Sequence, residues 1–184
     1  MSKLIQAPVH RHEIFAWALF DFANSGYTTV VLTAIFNAYF VGVIAQAYSS
    51  GTATLWWTIA MALANGVVLL TAPIIGAIAD DRAWKKRFLM ISASGCVGFT
   101  TLLATAGPGD VSYAMALVIL ASICFFTGEN LIAAFLPEIA TPDKMGRISA
   151  FGWTIGYLGG LLTLVLCLWV TLNAAAQGAE MADA

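Results

Sequence analysis

The stretch LWWTIAMALANGVVLLTAPIIGAIA, Leu55 to Ala79, carries no charged residue and exceeds the roughly 20 residues with which an α-helix crosses a bilayer core about 30 Å thick. A helix on the surface of a soluble domain keeps one face polar, whereas only Thr58, Asn65 and Thr71 interrupt this run. Working outward, four further runs have the same character: Ile14 to Ala47, Phe88 to Gly107, Val111 to Ile139 and Ile148 to Leu172. Runs of this length without strict alternation are not barrel strands of about 10 residues, and backbone in lipid must satisfy its own hydrogen bonds. The sequence therefore predicts an all-α membrane protein of about five transmembrane helices.

Composition agrees. Hydrophobic residues make up 60% of the 184 and charged residues 10%, against about 45–50% and about 25% in soluble domains. The eight Lys and Arg residues all fall in alternate segments. Lys3 and Arg11 precede the first run; Arg82, Lys85, Lys86 and Arg87 join the second and third; Lys144 and Arg147 join the fourth and fifth. Cations near helix ends are retained on the cytoplasmic side, so the expectation is a multi-pass protein of the cell (inner) membrane with a cytoplasmic N-terminus. Residues 1–13 form that cytoplasmic segment, 14–172 the helices, and 173–184 a polar tail that reads as the start of an external loop. The tail, ending AAAQGAEMADA, is followed by no further hydrophobic run, which makes truncation an expectation.

Net charge of -2 offers no basic footprint, and no nucleic-acid partner is expected. Cys96, Cys124 and Cys167 lie in different runs without C-x-x-C spacing, so neither a metal site nor a disulfide framework nor a cofactor is indicated. Ala45-Gln46-Ala47 resembles a signal-peptidase site, but the preceding run is too long for a 7–15-residue h-region and contains Asp21 and Asn24.

Intramembrane carboxylates cost about 2.5–3.5 kcal/mol on insertion scales and mark cavities or partners. Asp21 and Glu129 are such residues. At 100° per residue Asp21, Asn24, Ser25 and Thr28 form one stripe of the first helix. On the fourth, Glu129 shares a face with Ser122, Phe125, Phe126 and Ala133, with Asn130 at its border. Each acid lies roughly 10–12 Å from the cytoplasmic end of its helix, so the two share a depth. Low dielectric favours the neutral form of a carboxyl, which suits proton coupling; an ionised carboxylate would equally serve a cationic group of a solute. The plainer alternative is a hydrogen bond between helices that fixes packing. Thr58 and Asn65 read as interhelical hydrogen-bonding residues. Gly152, Gly156 and Gly160, joined by Gly159 and Ser149, make a small-residue face on which another backbone can approach closely.

The loop GAIADDRAWKKRFL, Gly76 to Leu89, resembles the signature between helices 2 and 3 of major facilitator transporters, roughly G-x-L-A-D-R-x-G-R-K-[RK]. Gly76, Ala79, Asp80, Lys85 and Lys86 match; Asp81 and Trp84 stand where the signature has basic residues, and Ala83 where it has its second glycine. WALFDFANSGYTTVVLTAIF and NLIAAFLPEIATPDKMGRISAFGWTIGYLGG resemble the vacuole-effluxer-like subfamily, which includes a fungal vacuolar amino acid effluxer linked to autophagy. The resemblance implies most of the first six-helix half of a twelve-helix fold, lacking its sixth helix. It implies transport of a small polar solute, amino acids being one candidate, by alternating access, with the lipid bilayer, protons and the missing helices of the full-length transporter as partners. Carried over by position, Gly76, Asp80, Glu138 and Arg147 belong to a cytoplasmic gate and Asp21, Asn24 and Glu129 to the cavity.

Two other classes compete. A five-helix module that does not transport, or the remnant of a truncated gene, would leave these surfaces without companions. An intramembrane aspartyl protease is suggested by Gly107-Pro108-Gly109-Asp110, but Asp110 falls in a tight loop rather than mid-helix, and an enzyme is not expected.

Overall fold

The computed structural model describes residues 11–182, with side chains as far as residue 174; Lys3 and the start of the expected N-terminal segment lie outside the described residues. Every element among them is helical. The first, α1, runs Arg11–Ile44; α2 is Ser50–Asp81, α3 Lys85–Leu103, α4 Val111–Ala133, α5 the single turn Leu136–Ile139, and α6 Met145–Ala182. α2, α3 and α6 begin about a turn before their apolar runs; at α2 the Ser49 hydroxyl caps the start by accepting the Thr52 N–H at 3.3 Å. The segment expected as a polar tail is helical to Ala182.

The helices form two compact units, one of residues up to Phe36 with those from Leu136 onward, the other Asn37–Phe135. In the second unit α4 is the most enclosed helix. Its buried positions Ala114, Val118, Ala121, Phe125, Gly128 and Ile132 recur at alternating steps of four and three, the spacing of a helix seam. Facing them, α2 buries Ala53, Ala60, Ala64 and Val68 around Trp57. Small residues let the backbones close in, which matters in lipid because apolar burial supplies no drive between helices there. The outward faces are apolar: Leu69 and Leu70 are 76% and 75% exposed, and Ile91, Val97, Trp169 and Leu172 are exposed too. Such an exterior suits hydrocarbon and not water.

α1, α2, the α4–α5 segment and α6 are each long and apolar enough to cross a membrane. α3 is shorter and opens on Lys85, Lys86 and Arg87. Chain direction decides its role. Met61 of α2 meets Ser122 of α4, and Ala72 to Ala79 lie beside Thr127 to Ala134, so α2 and α4 run parallel. Two parallel spans joined in sequence require a return crossing, and α3 supplies it. It runs antiparallel to α4, with Gly95 against Cys124 and Thr105 hydrogen-bonded to Tyr113 at 3.0 Å. Nineteen residues at 1.5 Å each reach nearly the thickness of the hydrocarbon core. The chain is thus a five-span membrane protein.

Candidate functional site

In the first unit α1 and α6 pack along a seam of glycines. A Cβ at Gly152 would strike the Trp17 ring, one at Gly156 the Asp21 carboxylate and the Ser25 hydroxyl, one at Gly159 the Phe22 carbonyl, and one at Gly160 the Thr29 hydroxyl. Gly26 returns the relation from α1, with Thr163 Oγ1 3.0 Å from where its Cβ would be. Contacts rise together in both helices, so α1 and α6 are parallel. Gly152, Gly156, Gly159 and Gly160 are buried, and α1 is the helix that packs on them.

The seam puts Asp21 in a particular setting. Ten residues into α1, about 15 Å along its axis, the half-buried carboxylate lies against the Gly156 backbone, where no side chain screens it. Among the described residues no hydrogen bond or ion pair reaches it. Ser25 is its neighbour on the seam and Asn24 is half-buried beside them in sequence.

Thr28, expected on the same stripe, is exposed, and Thr29 meets α6 instead. The winding changes at this point. Tyr27–Ala34 and Phe40–Ile44 are π-helical. The Ile35 N–H bonds back to the Val30 carbonyl, and the Thr33 hydroxyl reaches the Thr28 carbonyl five residues back at 2.8 Å. Thr29 keeps the four-residue spacing from Ser25 that Gly160 keeps from Gly156, and beyond it the π winding takes more residues than the 3.6 of an α-turn. Nothing in the 3.6-residue periodicity announces this, although the β-branched run Thr28 to Val31 is poorly suited to an α-helix.

In the second unit a crevice of about 90 Å³ opens between α2 and α4 at the start of α3. Gly76, Ala79, Asp80, Lys85, Thr127 and Asn130 line it. The structure thus brings Asn130 to Gly76 and Asp80. Glu129, one residue earlier, is half-buried on α4. Lys85 pairs with Asp80 at 2.6 Å. Glu138 in α5 and Arg147 in the first turn of α6 are both exposed, and Arg147 forms no ion pair among the described residues.

The α2–α3 turn explains the glycine of the signature. The Trp84 N–H bonds to the Ala79 carbonyl at 2.9 Å and the Ala83 N–H to the Asp80 carbonyl at 3.3 Å. These are the two bonds of a Schellman motif, which needs a left-handed residue after the helix and usually takes glycine. Ala83 fills that position with φ +54°.

One sequence reading is corrected. Thr58 and Asn65 do not join helices: each bonds a carbonyl four residues back on its own helix, Thr54 at 2.9 Å and Met61 at 2.8 Å. Asp110 accepts the Gly107 N–H at 3.0 Å within a turn in which Gly109 has φ +92° and donates to the Ile44 carbonyl at 2.9 Å. The GPGD sequence therefore has a structural explanation.

Parallel α2 and α4, a glycine seam between α1 and α6 and an uncompensated intramembrane acid define a multi-pass membrane protein built around helix packing with polar groups inside the span. The family model described as vacuole effluxer Atg22 like matches residues 38–182, and the chain belongs to that family. It is 30% identical over 164 residues to YxiO, an uncharacterized MFS-type transporter of Bacillus subtilis (strain 168), covering 88% of this chain and 38% of that protein. The chain thus spans well under half the length of this relative. No solved structure matches it.

Proposed function

We propose that the chain forms part of the solute pathway of a secondary or facilitative transporter, with Asp21 as the group that binds a proton or the cationic end of a small polar solute such as an amino acid. The observation that carries this reading is the Asp21 carboxylate held against Gly156 within a membrane-spanning helix, with no hydrogen bond or ion pair among the described residues. A carboxylate that served only packing would bond its neighbour helix, because unsatisfied polar groups are costly in lipid. Ser25 and Asn24 supply neutral donors and acceptors for the rest of a solute. The family resemblance assigns Glu129, with Asn130 beside it, to solute binding, and Gly76, Asp80, Glu138 and Arg147 to gating on the cytoplasmic side of the cell membrane. The α2–α3 turn fits a gate, since Lys85–Asp80 is an exchangeable ion pair beside a crevice.

Alternating access requires two halves that rock about the site. Five helices offer one wall, so the polypeptide alone binds without accumulating solute, and companion helices complete it. Vesicles of wild-type or D21N protein, incubated with radiolabelled amino acids, test this. Wild type retains label at equilibrium, and D21N, with unchanged helical circular dichroism, loses it by about tenfold or more, the loss of one charge-assisted contact. Equal retention by the two removes Asp21 from the site, and accumulation above equilibrium by the chain alone contradicts its dependence on companions.

A further inference from the structure

The α2–α3 turn holds a feature that the gate does not use. Arg82 and Arg87 both lie over Trp84, their guanidinium carbons 5.0 and 5.4 Å from the ring centre, and the Phe88 ring lies tilted against the indole at 6.3 Å between centroids. The sum of the two guanidinium distances limits how far apart these like charges can be. Neither arginine forms an ion pair among the described residues. The carboxylate best placed to neutralise the turn, Asp80, is taken by Lys85, and Lys86 adds a further exposed cation. Only Asp81 offsets Arg82, Lys86 and Arg87.

Position adds to charge. The turn joins two membrane spans, and Ile78, Met90 and Ile91 on either side of it are exposed apolar residues that face lipid. The cluster therefore sits at headgroup depth, where tryptophan anchors chains and where basic residues meet phosphates. The Trp84 backbone is held there by its Schellman bond to the Ala79 carbonyl, and both guanidiniums share its ring. Two planar forks on one ring, neither in an ion pair among the described residues, match the spread oxygens of a phosphate diester, which arginine binds in bidentate fashion.

We propose that Arg82, Trp84, Lys86 and Arg87 form a binding site for the headgroup of an anionic phospholipid in the leaflet that the α2–α3 turn faces.

Native mass spectrometry of the full chain released from micelles doped with equal phosphatidylglycerol and phosphatidylcholine tests it. Wild type retains phosphatidylglycerol with a preference of about fivefold or more, as expected for two or three cations near a membrane surface, and the preference falls as ammonium acetate is raised. R82Q/R87Q abolishes the preference, while K144Q, a cation of another loop, leaves it intact. If the double variant does not fold, W84L serves: it keeps the charges but removes their common base, and lowers the preference by about threefold. A preference that survives in R82Q/R87Q, that is undiminished in W84L, or that is insensitive to salt overturns the site. Displacement of the lipid by millimolar glycerol 3-phosphate would show a site for free phosphate esters and overturn the lipid as its occupant.

Discussion

At Ala83 the backbone adopts φ +54°, a conformation that costs an L-residue other than glycine about 1 kcal/mol. Replacing it by glycine should raise stability toward denaturing detergent by about that amount without changing helix content, since the Schellman bonds are already made. No gain in A83G would mean that the turn is not limited by this residue. The glycines of α6 give a graded series. A methyl at Gly159 meets the Phe22 carbonyl, which is backbone and cannot turn aside, so G159A should cost about 2–3 kcal/mol, near the upper end for overpacking. At Gly156 the obstacle is the Asp21 side chain, and G156A should cost less, with much of the loss recovered in D21A/G156A. Detergent-unfolding midpoints of the four proteins check the order; additive costs for D21A and G156A would show that the two residues do not touch. The chemistry at these positions was legible in part. Asp21 announces itself because an acid in an apolar run is costly, and the glycines because of their i, i+4, i+8 spacing, but spacing alone does not say which helix they meet. The left-handed Ala83 was legible only as a departure from the family signature.

Element by element, the spans follow from run length, because a stretch too long and too apolar for a soluble helix has few other fates. Winding within them does not follow. The π-helical Tyr27–Ala34 segment of α1 contains the β-branched run Thr28 to Val31, which suits an α-turn poorly, a preference too weak to override the 3.6-residue reading. Likewise, Thr58 and Asn65 share a face of α2 but satisfy themselves on their own backbone, as hydroxyl and amide side chains in lipid often do when no partner helix presents a group. Packing within the second unit predicts where α2 tolerates change. Ala60 and Ala64 are fully buried against small neighbours, whereas Leu69 is largely exposed. A60L and A64L should each cost about 1–3 kcal/mol and L69A less than about 0.5 kcal/mol in the same detergent assay. A larger effect at Leu69 than at Ala60 would invert the assignment of inner and outer faces.

For the molecule as a whole, direction and charge carry the account. Parallel α2 and α4 make α3 a crossing although its first turn is cationic, and five crossings with an apolar exterior make a membrane protein of the vacuole effluxer Atg22-like family. The same logic makes an acid within a span a group in need of a partner, and Asp21 has none among the described residues. Carbodiimide labelling reads this most directly, since dicyclohexylcarbodiimide partitions into bilayers and modifies carboxyls held in low dielectric. With the chain in vesicles, peptide mapping by mass spectrometry should find the adduct on the peptide containing Asp21, absent in D21N, and an amino acid that occupies the site should slow its formation at least about twofold by withholding the carboxyl from reagent. No adduct at Asp21 would contradict its assignment as the solute- or proton-binding group, and an adduct whose rate is the same with and without every amino acid tried would remove the solute and leave the proton.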